Sequence, residues 1–399
     1  MAIRTTDLSR RMARLGSSRA VSDILRLAES PEVISLAGGL PDPSVFPLDR
    51  IRESMDRVWR DQGREALNYG PNPGFTKLRD WIAERTGRNE TLELKSENIL
   101  VTSGGVEALN LVAMSLLDEG DTVLVEAPTY MVALHVFRAY GARIEAVPID
   151  DEGLDPDALH AKLSELERAG RKPRLMYVIP SYQNPSGCTW TEARRRKAVA
   201  VAETHDVLIV EDHAYAELTY GGPRPASLKS LSPENVVLIH TFSKIFGPGV
   251  RLGWAVAEPS FIGQLGLCKL GTDQCANTLA QRLVYEYASQ GHIDAQVAVS
   301  IQIYRRKRDL MEAAMKKHFP KETAWVLPSG GFFIWVRLPE HVDSEALLRR
   351  AIDEQKTAFV AGPPFFHDGS GKNFLRLSFS FVPESMIEEG IARIGRVLA

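Results

Sequence analysis

Short, continuous apolar runs punctuate the middle of the chain, and helix-like stretches lie between them. Asn98-Ile-Leu-Val-Thr102, Thr122-Val-Leu-Val-Glu126, Leu175-Met-Tyr-Val-Ile179, Val207-Leu-Ile-Val210 and Val236-Val-Leu-Ile239 read as strands, with Arg143 to Pro148 as a further one. Runs that are apolar at every position, rather than at alternate ones, suit strands covered on both faces in a mostly parallel sheet. Val106–Leu117, Met131–Tyr140 and Glu192–Thr204 predict helices able to serve as crossovers. From about Ala280 the pattern changes. A long helical segment, Leu279 to Lys317, broken near Gly291-His292, leads to the apolar run Gly331–Arg337, then a helix over Ser344–Gln355 and a strand-like Phe374–Phe379. The pattern predicts an α/β protein: a large domain over residues 46–285 around a mostly parallel sheet with helices on both faces, and a smaller α+β domain from residues 1–45 and 286–399.

Composition narrows the function. A chain of 399 residues holds two domains and a substantial core. Its 48 basic and 51 acidic side chains nearly balance at −3, which gives no footing for nucleic acid or an acidic membrane surface. The basic runs Arg194-Arg195-Arg196-Lys197 and Arg305-Arg306-Lys307-Arg308 sit in helical patterns with acidic neighbours, so both are expected on solvated helix faces. Cys188, Cys268 and Cys275 have neither metal-ligand spacing nor the pairing of a disulfide scaffold, and no metal is expected. With no apolar signal-peptide core at Met-Ala-Ile-Arg-Thr-Thr-Asp and no window of membrane-spanning length, a cytoplasmic protein is expected. Walker, HExxH and GxSxG motifs are all missing from the sequence.

The chemistry gathers in loops that follow the predicted strands. Pro180-Ser-Tyr-Gln-Asn184-Pro-Ser-Gly187 follows Leu175–Ile179, Glu211-Asp212-His213-Ala-Tyr215 follows Val207–Val210, and His240-Thr241-Phe-Ser243-Lys244 follows Val236–Ile239. Parallel strands end on one edge, where open α/β sheets bind their ligands, so Asn184, Asp212, Tyr215 and Lys244 are expected to converge. Ser103-Gly104-Gly105-Val106 opens a helix with small residues, leaving free N–H groups for an anion, and Arg251 supplies a charged clamp on it. Lysine is the side chain that bonds to a carbonyl as a Schiff base, and a carboxylate beside a pyridinium nitrogen keeps that ring an electron sink. Taken singly each feature is ordinary turn or capping chemistry; their joint occurrence, in order on consecutive strand ends, points to pyridoxal 5′-phosphate.

These motifs resemble the class I/II aminotransferases of fold type I, more narrowly the 2-aminoadipate and kynurenine aminotransferase subgroup. The resemblance runs through Ser35–Pro47, Asn68–Arg79, Thr102–Leu109, Pro180–Gly187, Glu211-Asp212, Ser243–Gly253, Pro328–Phe333 and Leu375–Phe379, nearly the whole chain. It implies a large cofactor-binding domain and a small domain closing over the substrate. It implies transfer of an amino group from an L-amino acid to a 2-oxo acid by a ping-pong route through pyridoxamine phosphate. Lys244 would bond the cofactor aldehyde and move the proton, and Asp212 would pair with the pyridine nitrogen. Asn184 and Tyr215 would hold the 3-hydroxyl, and Tyr130 would stack on the ring. Gly104, Gly105, Val106, Thr241, Ser243 and Arg251 would surround the phosphate. Tyr69 would reach the neighbouring subunit's cofactor in a homodimer, and Arg376 would grip the substrate α-carboxylate, assisted by Asn184 and the backbone near Gly39.

Departures from the family pattern bear on the substrate. Relatives acting on acidic side chains bring a second arginine from the first helix, where this chain has Ser22 with Asp23 beside it and Arg19 a turn away. The segment Gly271–Ala276 also lacks an arginine and carries Asp273 and Cys275. An Asp273 facing the pocket would favour a basic or polar side chain. On the same scaffold a lyase or a cyclising synthase is the alternative chemistry. An aminotransferase-like transcription regulator is disfavoured, because the family's N-terminal region begins almost at residue 1.

Overall fold

The computed structural model describes residues 8–15, 30 and 32–398. After the two-residue strand β1 (Ile34–Ser35), the chain builds a sheet from β2 (Ile99–Thr102), β3 (Thr122–Ala127), β4 (Arg143–Asp150), β5 (Gly153–Leu154), β6 (Pro173–Val178), β7 (Leu208–Asp212), β8 (Val236–Thr241) and β9 (Gly253–Val256). Their spatial order is β2-β9-β8-β7-β6-β3-β4-β5. The pairings from β4 through β3, β6 and β7 to β8 are parallel; β9 runs against both β8 and β2, so β2 points the same way as β8. The carboxyl ends of β2, β3, β6, β7 and β8 therefore share one edge.

The unbroken apolar runs have the expected cause. Val123 and Val125 of β3, Leu175 and Tyr177 of β6, and Val210 of β7 pack into a core with the helices Gly105–Leu116 and Met131–Ala139. Their neighbours Leu124, Met176, Val178 and Ile209 join a second core on the opposite face, with Pro156–Arg168 and Glu192–Thr204. Successive residues of a strand point to opposite faces, so a doubly covered strand must be apolar at both parities. β9 is not predicted from the sequence. Its Gly-Trp-Ala-Val run is short and opens on Gly253, where a Cβ would come within 2.6 Å of the Gly105 nitrogen. That close approach lays Arg251 and Leu252 beside the start of helix Gly105–Leu116.

A second, four-stranded sheet is formed by β10 (Ala324–Trp325), β11 (Phe333–Arg337), β13 (Val360–Ala361) and β14 (Phe374–Ser378), in the order β10-β11-β14-β13. The remaining strand β12 (Thr357–Ala358) pairs in parallel with β1, tying the early segment to this C-terminal unit. Helices Ser344–Gln355 and Glu384–Leu398 pack on it. The predicted break near Gly291 is present: helix Thr278–Ala288 ends, Gly291 takes φ 76°, and helix His292–His318 begins.

The two basic runs correct the expectation of wholly solvated faces. Arg195 is buried and donates to the carbonyl oxygens of Trp190, Pro180 and Ala226 and to Ser181 Oγ. Lys307 is buried too, paired with Asp42 and the Ser380 carbonyl. Of their neighbours, Arg196 and Arg306 are exposed as expected, in ion pairs with Glu192 and Glu384, whereas Arg194 and Arg308 are mostly covered, paired with Asp150 and Asp309. A long cation costs least to bury where fixed carbonyls or a carboxylate replace its water, and these loops provide them. Among the described residues, no helix is long and apolar enough to cross a membrane.

Candidate active site

The side-chain parity of the strands decides what faces what at the shared edge. Tyr177, Asp212 and Thr241 fall at positions in step with Leu175, Val210 and Ile239, so they emerge on the face that carries helix Gly105–Leu116. Glu211 and His240 fall out of step, and lie with His213 in a buried ionic group on the other side. There His213 approaches Glu90 and Glu211 at 3.3 and 3.4 Å, and His240 approaches Glu217 at 3.2 Å.

Asp212 is held from two directions. Its Oδ2 accepts the Tyr177 hydroxyl at 2.7 Å and its Oδ1 accepts the Ala214 N–H at 3.1 Å. Burial pushes its carboxyl upward from the usual range, while the Tyr177 and Ala214 bonds and the charge of His213 pull the other way. Tyr177, wholly buried, is a residue the sequence did not single out as functional; the only sign was a phenol inside the apolar run Leu175–Ile179.

Lys244 follows β8, and its Nζ donates to the Gly39 carbonyl at 2.8 Å. The same amine lies 5.7 Å from the centre of the Tyr215 ring and 5.5 Å from that of Phe332. Burial, and next the positive charge of Arg376, bring its pKa down to about 8, against the opposing pull of Asp212. The Tyr215 and Tyr130 hydroxyls bond to no described residue, and burial raises the Tyr130 phenol to about 12.

Arg376, on β14, crosses from the C-terminal unit. Nη1 donates to Asn184 Oδ1 at 2.8 Å and Nη2 to the Ala37 carbonyl at 2.7 Å, with the Phe333 ring 4.1 Å from the guanidinium carbon. Its Nε is buried without a partner among the described residues. Since Arg376 occupies the Asn184 oxygen, the Asn184 amide NH₂ is left to donate elsewhere. The loop that carries Asn184 is fixed by Arg195 and by Glu126, which accepts from Ile179 N, Gln183 Nε2 and Trp190 Nε1 at 2.8, 3.3 and 3.0 Å. Neither residue was anticipated; a carboxylate closing the apolar run Thr122–Glu126 was the available sign.

The small-residue loop and the clamp arginine meet. Gly104 takes φ 96° as the N-cap of helix Gly105–Leu116, and a Cβ there would come within 2.7 Å of Arg251 Nη2. Arg251 itself adopts φ 51°, a left-handed conformation rare for a residue with a side chain. Thr241 Oγ1 lies 2.9 Å from Ser243 Oγ and accepts the Ser243 N–H. These residues gather two hydroxyls, a guanidinium and the free N–H groups of a helix start, a donor set that fits a phosphate.

A cavity of about 770 Å³ opens beside these groups. Gly39, Tyr130, Asn184, Tyr215, Lys244 and Arg376 line it, together with a mostly apolar wall from Ile34, Leu348, Phe359, Val360 and Met386. Asp273 does not line it. It bonds Lys269 at 2.6 Å and Ser103 at 2.6 Å, because a buried lysine one helical turn away claims its carboxylate. Cys275 is likewise absent from the cavity wall, and Tyr69 is 86 % exposed and does not line it. Arg19, Ser22 and Asp23 lie outside the described residues.

Comparison with known proteins agrees with this geometry. The family model of aminotransferase class I and II matches residues 31–394. The chain belongs to this aminotransferase family. It is 39 % identical to an aromatic-amino-acid aminotransferase of Thermococcus litoralis, over 95 % of this chain and 91 % of that one. It is 38 % identical to the 2-aminoadipate transaminase of Thermus thermophilus, covering 95 % and 93 %. A solved kynurenine aminotransferase from Pyrococcus horikoshii, in complex with PMP, superposes with a TM-score of 0.94 at 37 % identity, over 98 % of this chain and 96 % of that one. The fold is thus that of the fold type I aminotransferases, the activity is aminotransfer, and the cofactor is pyridoxal 5′-phosphate. The aminotransferase's own residues fit that group: a phosphate donor set at Gly104–Val106, Thr241, Ser243 and Arg251, and a half-buried carboxylate and amine at Asp212 and Lys244.

Proposed function

We propose that the enzyme moves the amino group of L-amino acids with large, neutral side chains to 2-oxo acids by a ping-pong route, acting as a cytoplasmic homodimer. The observation that carries the substrate class is the cavity wall: Lys244 and Arg376 are its only basic residues among those described, and the rest of the side-chain end is mainly apolar. With Asp273 tied to Lys269 and Ser103, that ground for preferring basic side chains is gone, and the one carboxylate among the described lining residues, Glu345, is exposed. The relatives named for aromatic amino acids and kynurenine agree in kind.

When bound, pyridoxal phosphate supplies an aldehyde that joins an amine and a ring that accepts the electron pair left as Cα loses its proton. Lys244 is the amine assigned to that aldehyde and the base assigned to the Cα proton. Asp212, as a carboxylate steadied by Tyr177, stabilises positive charge on the ring nitrogen. Asn184 and Tyr215 would donate to the ring hydroxyl, and Tyr130 would cover the ring face. Gly104, Gly105, Val106, Thr241, Ser243 and Arg251 bind the phosphate. Arg376, already aligned by Asn184 and the Ala37 carbonyl, receives the substrate carboxylate through its planar fork, which orients the Cα–H bond. Residues 46–285 form the cofactor domain, and residues 1–45 and 286–399 the part that closes on substrate. Tyr69, exposed beside the exposed Leu67, is assigned to the neighbouring subunit's phosphate.

Two outcomes test this assignment. In single-turnover half-reactions, L-phenylalanine and L-leucine are expected to react at least about tenfold faster than L-lysine, since the wall offers an ammonium mainly apolar surface and its one described carboxylate, Glu345, is exposed and screened by water. An L-lysine rate above both overturns the substrate class. Lys244 attacks as the free amine, and with its pKa depressed to about 8 the free-base fraction rises through that pH. The rate at which apoenzyme takes up cofactor is therefore expected to climb from pH 6 toward about 8 and to level above it, and an uptake rate still rising toward the ordinary lysine value of 10.5 would show that the site leaves Lys244 unperturbed.

A further inference from the structure

Ser103 stands immediately before Gly104, and both of its donors end on carboxylates from elsewhere in the fold. Its N–H donates to Glu107 Oε2, one turn into helix Gly105–Leu116, and its hydroxyl donates to Asp273 Oδ2 at 2.6 Å, across 170 residues of chain. Two carboxylates beside a helix start meant for a phosphate present an electrostatic problem. Lys269 meets it. This side chain, 0 % exposed at the end of helix Pro259–Leu270, places Nζ 2.6 Å from Asp273 Oδ1 and 3.0 and 3.2 Å from the two Glu107 oxygens. Thr272 Oγ1 adds a bond to Glu107 Oε1 at 3.2 Å. One ammonium thus joins both carboxylates, and together they fix the nitrogen and the hydroxyl of Ser103.

We propose that Lys269 is a positioning residue for the cofactor phosphate: it neutralises one of the two carboxylates and, through Glu107 and Asp273, sets Ser103 so that the Gly104–Val106 turn faces Arg251. This rests on the phosphate assignment of the preceding subsection and extends it to a residue outside the cavity. The physical argument has two parts. Without the ammonium, two adjacent charges of the sign of the phosphate remain in a poorly screened place. In addition, Ser103 would lose its fixed acceptors as those carboxylates repel one another, and the conformation of Gly104 (φ 96°) depends on the residue before it.

The test compares pyridoxal phosphate with pyridoxal, which lacks the phosphate, in titrations of the full-length protein freed of cofactor. For Lys269→Met, the Kd for pyridoxal phosphate is expected to rise about tenfold, with competition by inorganic phosphate weakened in proportion, while the Kd for pyridoxal stays within about twofold. Lys269→Met/Asp273→Asn, which restores the net charge of the group, is expected to recover most of the loss. A Lys269→Met protein that binds pyridoxal phosphate as the parent does, or loses both ligands equally, overturns the proposal. Should that variant fail to fold, Glu107→Gln decides: it removes a negative charge and keeps an acceptor for Ser103, so the Kd for pyridoxal phosphate should hold or fall, and a tenfold rise contradicts the clamp. A parent protein that binds neither ligand would instead sink the phosphate assignment itself.

Discussion

Replacing Lys244 with alanine is expected to lower turnover by at least about four orders of magnitude, because one side chain supplies both the amine for the cofactor aldehyde and the base for the Cα proton. The structure makes the loss hard to repair from nearby groups. Tyr215 and Tyr130 are raised well above neutral titration by burial, and a phenol so placed is a poor base. Asp212 is turned toward Tyr177 and Ala214. The phosphate donors, however, do not depend on Lys244, so Lys244→Ala should still bind pyridoxal phosphate noncovalently. Rate assays with added methylamine, together with borohydride reduction and peptide mass mapping of the parent, separate the two roles. A variant that turned over amino donors at the parent's rate would remove the lysine from the mechanism.

Arg376→Lys is expected to raise the KM for the amino acid about a hundredfold with a smaller effect on cofactor affinity. The Arg376 guanidinium already spends Nη1 on Asn184 and Nη2 on the Ala37 carbonyl, and both contacts hold its plane against the Phe333 ring. A lysine retains a charge there without the planar fork, so the carboxylate loses its two-point hold and the Cα–H bond its orientation. Burial lowers the guanidinium to about 10, so it remains charged throughout the pH range of an assay near neutrality, and the KM of the parent should not rise from loss of that charge below about pH 9. Steady-state kinetics with L-phenylalanine across pH 6–9 check both statements. An unchanged KM in Arg376→Lys would mean that another group holds the carboxylate.

The ion pairs of Lys307 and Lys269 lie away from the chemistry yet join segments that border the site. Lys307 grips Asp42 at the end of the segment whose Ala37 and Gly39 carbonyls meet Arg376 and Lys244. Arg195 does the same for the loop bearing Asn184. Lys307 and Arg195 are long cations in runs that, by charge spacing alone, look like solvated faces. Helical spacing states which residues share a face but not what that face is packed against.

Local pattern was enough to determine the doubly covered strands and the loops at their carboxyl ends on which Asn184, Asp212, Tyr215 and Lys244 stand. That is because a buried parallel strand must be apolar at both parities and because parallel strands end on one edge. Tertiary structure alone decided the antiparallel β9 that lays Arg251 on Gly104, the Tyr177 hydroxyl on Asp212, and the capture of Asp273 by Lys269 and Ser103 rather than by the substrate pocket. These last depend on contacts between residues as far as 170 positions apart, where a side chain's partner is set by which elements pack together and by the cost of burying a polar group unpaired. No local spacing records either.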